Sequence, residues 1–292
     1  MGIIADQPTE HQYDPAAPPA RARPRVRSST VELAYDRCGH GPPLVLLHGV
    51  GHRRQAWDPV IGALSGEREV VTVDFPGFGQ SPPLPDSVPY ALDSLVDVLA
   101  AFFDRLGLDR PHVGGNSMGG LVSLALARHG LVRSVTALSP AGLWTAWQRA
   151  WTLGLLRGCH RVACRTSPSA MERLVRTPTG RALLSSVVVA RPWLLDPQVM
   201  LDDARALAGA PAFTPTLAAA ARVMFEGPID GVPVTIAWGD RDRLLRRPPA
   251  AMVTALIPQV ELVRLPGCGH VPMTDDPLLV ARVLLAGSKT DD

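Results

Sequence analysis

The segment Gly115-Asn116-Ser117-Met118-Gly119-Gly120 sets one serine among small residues, between a short apolar run and an apolar helical pattern. A strand-to-helix turn that tight needs small neighbours, and it lifts the serine hydroxyl clear of the sheet edge. The N–H of Met118 then opens a helix, where it can donate to a developing oxyanion. A serine hydroxyl is a weak nucleophile until a base takes its proton, so a histidine and an orienting carboxylate should follow. His270, in Pro266-Gly267-Cys268-Gly269-His270, is the one histidine of eight that stands just past the last strand-like run. Asp240 and Asp242 follow the run that ends at Trp238-Gly239. Either can orient an imidazole, and either can be a turn residue accepting backbone N–H groups.

A second oxyanion donor should come from a loop after an earlier strand. His48-Gly49-Val50-Gly51 fits, with the Val50 N–H as donor. His48 reads as a stabiliser of that loop and His52 as a surface residue. The glycine-rich stretch 74–81 (DFPGFGQS) lacks both the G-x-x-x-x-G-K-[ST] and the G-x-G-x-x-G spacing, so it reads as a structural turn.

These residues need a scaffold, and the chain patterns one. Short β-branched runs occupy Leu44–Leu47, Val70–Val73, Pro111–Gly115, Ser134–Leu138, Val232–Trp238 and Val260–Leu265, after a strand-like TVELAYDR (30–37). Runs of this kind suit strands buried on both faces of a parallel sheet. Between them, Leu92, Leu95, Val96, Leu99, Phe102, Phe103 and Leu106 recur at helical spacing, and Gly107 is a stop. Met118–His129 is apolar nearly all round, as a helix packed deep against a sheet should be. The alternation predicts an α/β fold with a mostly parallel central sheet flanked by helices. It breaks between 141 and 228, which is read as an inserted helical cap. The core is then 29–140 and 229–292, and the Pro/Arg-rich stretch 1–28 is a flexible tail.

Of the 292 residues, 46% are hydrophobic and 19% charged, with 29 basic against 27 acidic side chains. That composition buries a sizeable core, and a net charge of +2 gives no electrostatic case for nucleic acid or a membrane surface. Four scattered cysteines make neither a disulfide framework nor a zinc site. No basic and apolar leader pattern opens the sequence, and no apolar run reaches the ~18 residues of a membrane span. The expectation is a cytoplasmic protein acting on a small molecule, with no metal and no cofactor.

The segments LVLLHGVG (44–51), DFPGFGQS (74–81), GNSMGG (115–120), WGDRD (238–242) and GCGHVP (267–272) stand in an order that resembles the α/β-hydrolase fold superfamily, its capped serine esterase and C–C hydrolase group. The resemblance covers roughly residues 29–287. It implies Ser117 as nucleophile, His270 as base, Asp242 as the acid in preference to Asp240, and Val50 and Met118 as the oxyanion hole. Serine at 117 sets aside the dehalogenases and epoxide hydrolases of this fold, which carry aspartate there. GNSMGG, with Asn116, is also similar to the elbow of meta-cleavage-product C–C hydrolases. Val271 stands where those enzymes usually carry tryptophan, which ranks that reaction second. Cofactor-free haloperoxidase or perhydrolase activity and a receptor-like ligand-binding role are further alternatives. The first expectation is hydrolysis of a carboxylic ester, lactone or thioester of a largely apolar molecule through an acyl-enzyme.

The substrate pocket is expected from His48, Gly49, Asn116, Trp144, Trp147 and Val271. Trp144, Trp147 and Trp151 fall at i, i+3 and i+7, which predicts either a helix face on the core or an aromatic wall. The cap segment holds ten arginines against five acids, and these are expected on its solvated surface.

Overall fold

The computed structural model describes residues 31–289; the segment read as a tail, 1–28, lies outside them. Seven strands form one sheet: β1 (Tyr35–Gly39), β2 (Pro43–Leu47), β3 (Glu69–Val73), β4 (His112–Asn116), β5 (Ser134–Leu138), β6 (Val234–Gly239) and β7 (Glu261–Leu265). Their order is β1-β3-β2-β4-β5-β6-β7, with β1 antiparallel to β3 and every other pair parallel. The α/β expectation therefore holds, and each apolar run becomes a strand to within two residues. The initial strand is later than TVELAYDR suggests, because only Tyr35–Gly39 finds the ladder of β3. β7 also departs from expectation. As an edge strand it leaves Glu261, Leu262 and Arg264 exposed, whereas β2, β4, β5 and β6 are buried almost throughout.

Eleven α-helices occur among the described residues. They are α1 (Asp58–Leu64), α2 (Leu92–Leu106), α3 (Met118–Arg128), α4 (Ala146–Arg165), α5 (Pro168–Val175), α6 (Pro178–Ser185), α7 (Pro197–Gly209), α8 (Phe213–Ala220), α9 (Ala250–Leu256), α10 (Pro272–Asp275) and α11 (Pro277–Gly287). α2 ends on Gly107 in the left-handed region (φ 67°), the cap a glycine supplies without a Cβ clash. It buries Leu95, Val96, Leu99, Phe102 and Phe103, each contributing roughly 1.5–3 kcal/mol by the transfer of apolar surface from water.

The chain runs from β2 to β3 on one side, then crosses to β4 on the other and continues outward to β7. The strand order thus reverses between β2 and β4. A crevice opens at such a point beyond the C-terminal ends of the strands. The loops after β2, β4, β6 and β7 all leave the sheet at that edge.

Helices α4 to α8 lie between β5 and β6. Met171, Val175, Met200 and Leu201 form a small cluster of their own there, while Leu153, Phe213, Leu217 and Phe225 join the main core. SSVVVA (185–190) is not a strand. It makes a turn on Ser185, whose carbonyl accepts from Val188 and Val189 N–H. Among the described residues no helix is long and apolar enough to cross a membrane.

Candidate active site

Ser117 stands between β4 and α3 at φ 57°, ψ −112°, in a region a residue with a side chain rarely occupies. The turn is held open by absence of bulk. A Cβ on Gly115 would come within 2.3 Å of the Gly119 carbonyl oxygen, and one on Gly119 within 2.1 Å of that of Leu47. The Ser117 N–H donates to the Leu138 carbonyl (2.9 Å), and its own carbonyl accepts from Ala141 (3.0 Å). β5 therefore fixes the strained residue from the side. Ser117 is only 7% exposed.

His270 is buried on the loop after β7, and its Nδ1 lies 2.8 Å from Asp242 Oδ2. Asp242 Oδ1 accepts from the N–H groups of Leu244 (2.9 Å) and Leu245 (2.8 Å), which fixes the carboxylate. Asp240 points elsewhere: its Oδ1 accepts from Gly267 N–H at 2.8 Å in an exposed turn. The two aspartates left open by the residues alone are thus separated by geometry.

Asn116 connects the two halves of the site. Its Nδ2 donates to the carbonyls of His270 (2.9 Å) and Leu138 (3.2 Å), and the side chain is buried. It is a brace rather than a pocket wall, because its amide protons are consumed by main chain. His48 is likewise not a pocket residue. Its Nδ1–H donates to the Gly49 carbonyl (2.7 Å) and its Nε2 accepts from Phe75 N–H (3.0 Å), which requires the neutral ring. Complete burial pushes its pKa down to about 4, outweighing the attraction of Asp74. Gly49 lies directly against the serine, since a Cβ there would sit 3.3 Å from Ser117 Cβ.

No acceptor for the N–H of Val50 or of Met118 is found among the described residues, and Met118 is the first residue of α3. The loop that carries Val50 is pressed by the segment between β5 and β6: a Cβ on Gly51 would meet Leu207 Cδ1 at 2.5 Å and Phe213 at 3.1 Å. His52 is not a free surface residue, because Asp203 Oδ2 stands 3.6 Å from its Nε2.

The turn 74–81 is structural, as its spacing predicts. The buried Asp74 carboxylate accepts from Arg54 N–H (2.6 Å), the Arg54 guanidinium (2.7 Å) and Gln80 N–H (2.9 Å).

Val271 is buried beside His270, and its N–H donates to the Val188 carbonyl at 2.9 Å. The tryptophan series divides. Thr145 and Gln148 form a reciprocal capping box that starts α4 after Trp144. Trp144 therefore turns inward, buried, and donates its indole N–H to the Val223 carbonyl (3.1 Å). Trp147 and Trp151 are 65% and 56% exposed and stack on one another, rings 6.1 Å apart and 7° from parallel. Neither packs on the core, and Trp147 faces outward rather than lining a buried pocket.

One residue near the site escaped the sequence reading. Asp275, buried at the end of α10, accepts from Gly269 N–H (2.7 Å), Ala190 N–H (3.0 Å) and Arg191 N–H (3.2 Å). It ties the histidine loop to the segment 188–191. In the sequence it is one of two adjacent aspartates before a proline, indistinguishable from the helix cap that Asp276 in fact is. Burial, with Asp275 the nearest aggravating charge, raises the Cys268 thiol to about 12 and leaves it unreactive.

A strained serine at a strand-to-helix turn, a loop packed against it, and a histidine on a fixed carboxylate have been brought to one sheet edge. The α/β-hydrolase fold family model matches residues 42–277, most of the chain. The chain belongs to the α/β-hydrolase fold family. It is similar to Lipase 3 of Moraxella sp. (strain TA144), 24% identical over 80% of this chain and 73% of the lipase. Among solved structures it resembles a membrane phospholipase A described as a bacterial virulence factor, at 27% identity and TM-score 0.70 over 89% of this chain and 86% of that one. It also resembles a meta-cleavage product hydrolase from Pseudomonas fluorescens IP01, at 21% identity and TM-score 0.67 over 88% of this chain and 96% of that one; that likeness carries the fold alone.

Proposed function

We propose that this α/β-hydrolase cleaves a carboxylic ester, lactone or thioester of a largely apolar small molecule through an acyl-enzyme. The observation that carries the reading is the 2.8 Å contact of His270 Nδ1 with Asp242 Oδ2, on a loop braced by the residue next to Ser117. His270 takes the Ser117 proton on Nε2 as Oγ attacks the acyl carbon. The tetrahedral oxyanion is received by the Val50 and Met118 N–H groups. The imidazolium then gives its proton to the leaving oxygen or sulfur, and later draws one from the water that releases the acid. Asp242 holds the tautomer with the proton on Nδ1 and stabilises the imidazolium.

Leu207, Phe213 and the valine-rich turn 187–189 press on the loops that carry the site, which supports an apolar acyl or alcohol group. The segment 141–228 is accordingly read as the cap that sets specificity.

The test is fluorophosphonate labelling of the wild type and of Ser117→Ala, followed by a chain-length panel of aryl esters. Labelling that depends on Ser117, with ester turnover, is expected. Turnover retained in Ser117→Ala would sink the mechanism, and labelling without ester turnover would move the substrate to the C–C class.

A further inference from the structure

The exposed face of α4 is unusual in what it carries and in the order it carries it. Helical spacing of 3.6 residues per turn puts Trp147, Trp151, Gly154, Gly158, Arg161 and Arg165 on one stripe. All but Gly158, which is partly covered, are exposed. A Cβ added at Gly154 or at Gly158 would meet nothing within 4 Å, so no other part of the described structure packs there. The opposite face is the buried one, with Thr152 and Leu153. The helix contains no acid, and neither Arg161 nor Arg165 has a carboxylate partner among the described residues.

The stripe is also self-complementary. Position 156 is midway between 147 and 165, between 151 and 161, and between 154 and 158. An antiparallel second α4 centred there would set Trp147 opposite Arg165, Trp151 opposite Arg161 and Gly154 opposite Gly158, each pair occurring twice. That reciprocity is what a two-fold interface requires. A guanidinium over an indole face is a favourable contact, and the two glycines let the backbones approach between the pairs.

A parallel pairing would instead set arginine on arginine. In the antiparallel one the two Arg161 residues are about 15 Å apart along the axis and the two Arg165 residues about 27 Å. Both spacings exceed the ~8 Å screening length of physiological salt. The helix dipoles also oppose, which favours the pair.

We propose that this protein forms a two-fold dimer through the outer face of α4, closed by reciprocal Trp–Arg contacts around Gly154 and Gly158. A single helix pair is small for a protein interface, so the dimer is a concentration-dependent one.

Sedimentation velocity of the full chain, from low to high micromolar, reads the assembly directly. The wild type should shift towards dimer with concentration. Gly154→Leu should remain monomeric, because the side chain has open space in one protomer and blocks the approach of two; circular dichroism checks its fold. Trp151→Arg should weaken the dimer at least tenfold, and Trp151→Arg with Arg161→Trp should recover it, since the swap restores both pairs. A wild type that stays monomeric throughout overturns the proposal. So does a dimer indifferent to Gly154→Leu, which would lie on another face. A monomer that co-sediments with phosphatidylglycerol vesicles, and loses them in Trp147→Ala/Trp151→Ala, would assign the face to an anionic lipid surface instead.

Discussion

The side-chain amide of Asn116 donates to the main-chain oxygen of His270 at 2.9 Å, joining the serine turn to the histidine loop across 154 residues of sequence. The same nitrogen reaches Leu138, whose carbonyl also accepts from Ser117 N–H. One residue thus registers β4, β5 and the loop after β7 against each other. On the proposed mechanism, a shift of about 1 Å between Ser117 and His270 would cost on the order of a hundredfold in rate, so the brace is expected to act on turnover as well as stability.

Asn116→Ala should lower kcat by roughly ten- to a hundredfold with KM little changed, since the lost contact is with the main chain that carries His270. The stability loss should be about 1–3 kcal/mol, from a buried carbonyl left without its donor. Steady-state kinetics and urea unfolding measure the two separately.

The two aspartates after β6 should differ sharply. Asp242→Asn should reduce kcat by about 10⁴, because an amide in that place favours the wrong imidazole tautomer. Asp240→Asn should leave kcat within about threefold, as it keeps an acceptor oxygen for Gly267 N–H and loses only a charge in an exposed turn. Equal losses in both variants would contradict the assignment.

Asp275 supports the histidine loop from beneath while gripping the segment 188–191. Replacing it by Ala leaves the buried N–H groups of Gly269 and Ala190 unpaired and should destabilise the protein by roughly 2–5 kcal/mol. Asp275→Asn keeps an acceptor oxygen and should recover much of that, seen as a smaller fall in Tm.

Acid should weaken the fold through two buried histidines. His48 and His112 are both held near pKa 4 by burial, against 6.5 in the unfolded chain. Their neutral forms favour the native state fully above pH 6.5. Between 6.5 and 4 the unfolded chain binds more protons, so stability falls as pH is lowered, by up to about 3 kcal/mol per histidine. Urea titrations at pH 7, 5.5 and 4.5 should show the midpoint falling in that order. His112→Asn should flatten part of the slope.

The sequence by itself determined the α/β alternation, because buried parallel strands demand short β-branched runs and the helices between them demand a 3.6-residue period. It also marked Ser117 and His270, since a tight strand-to-helix turn can be built only with small residues such as Gly115 and Gly119, and that constraint is local. What lay between distant segments had to wait for the tertiary structure. Asp240 and Asp242 are two residues apart in the same kind of turn; the family resemblance favours Asp242, but the residue types alone leave both open until His270 is placed against Asp242. His48 was legible as a stabiliser of its own loop, but Asn116 and Asp275 reveal their work only through main-chain groups of other loops, which leave no trace in residue type. Trp147 and Trp151 have the spacing of a buried helix face. The Thr145–Gln148 capping box starts α4 one residue after Thr145, and the fold turns both rings outward. A sequence period states that one face differs from the rest; which side of it meets the core is decided by what the rest of the chain brings there.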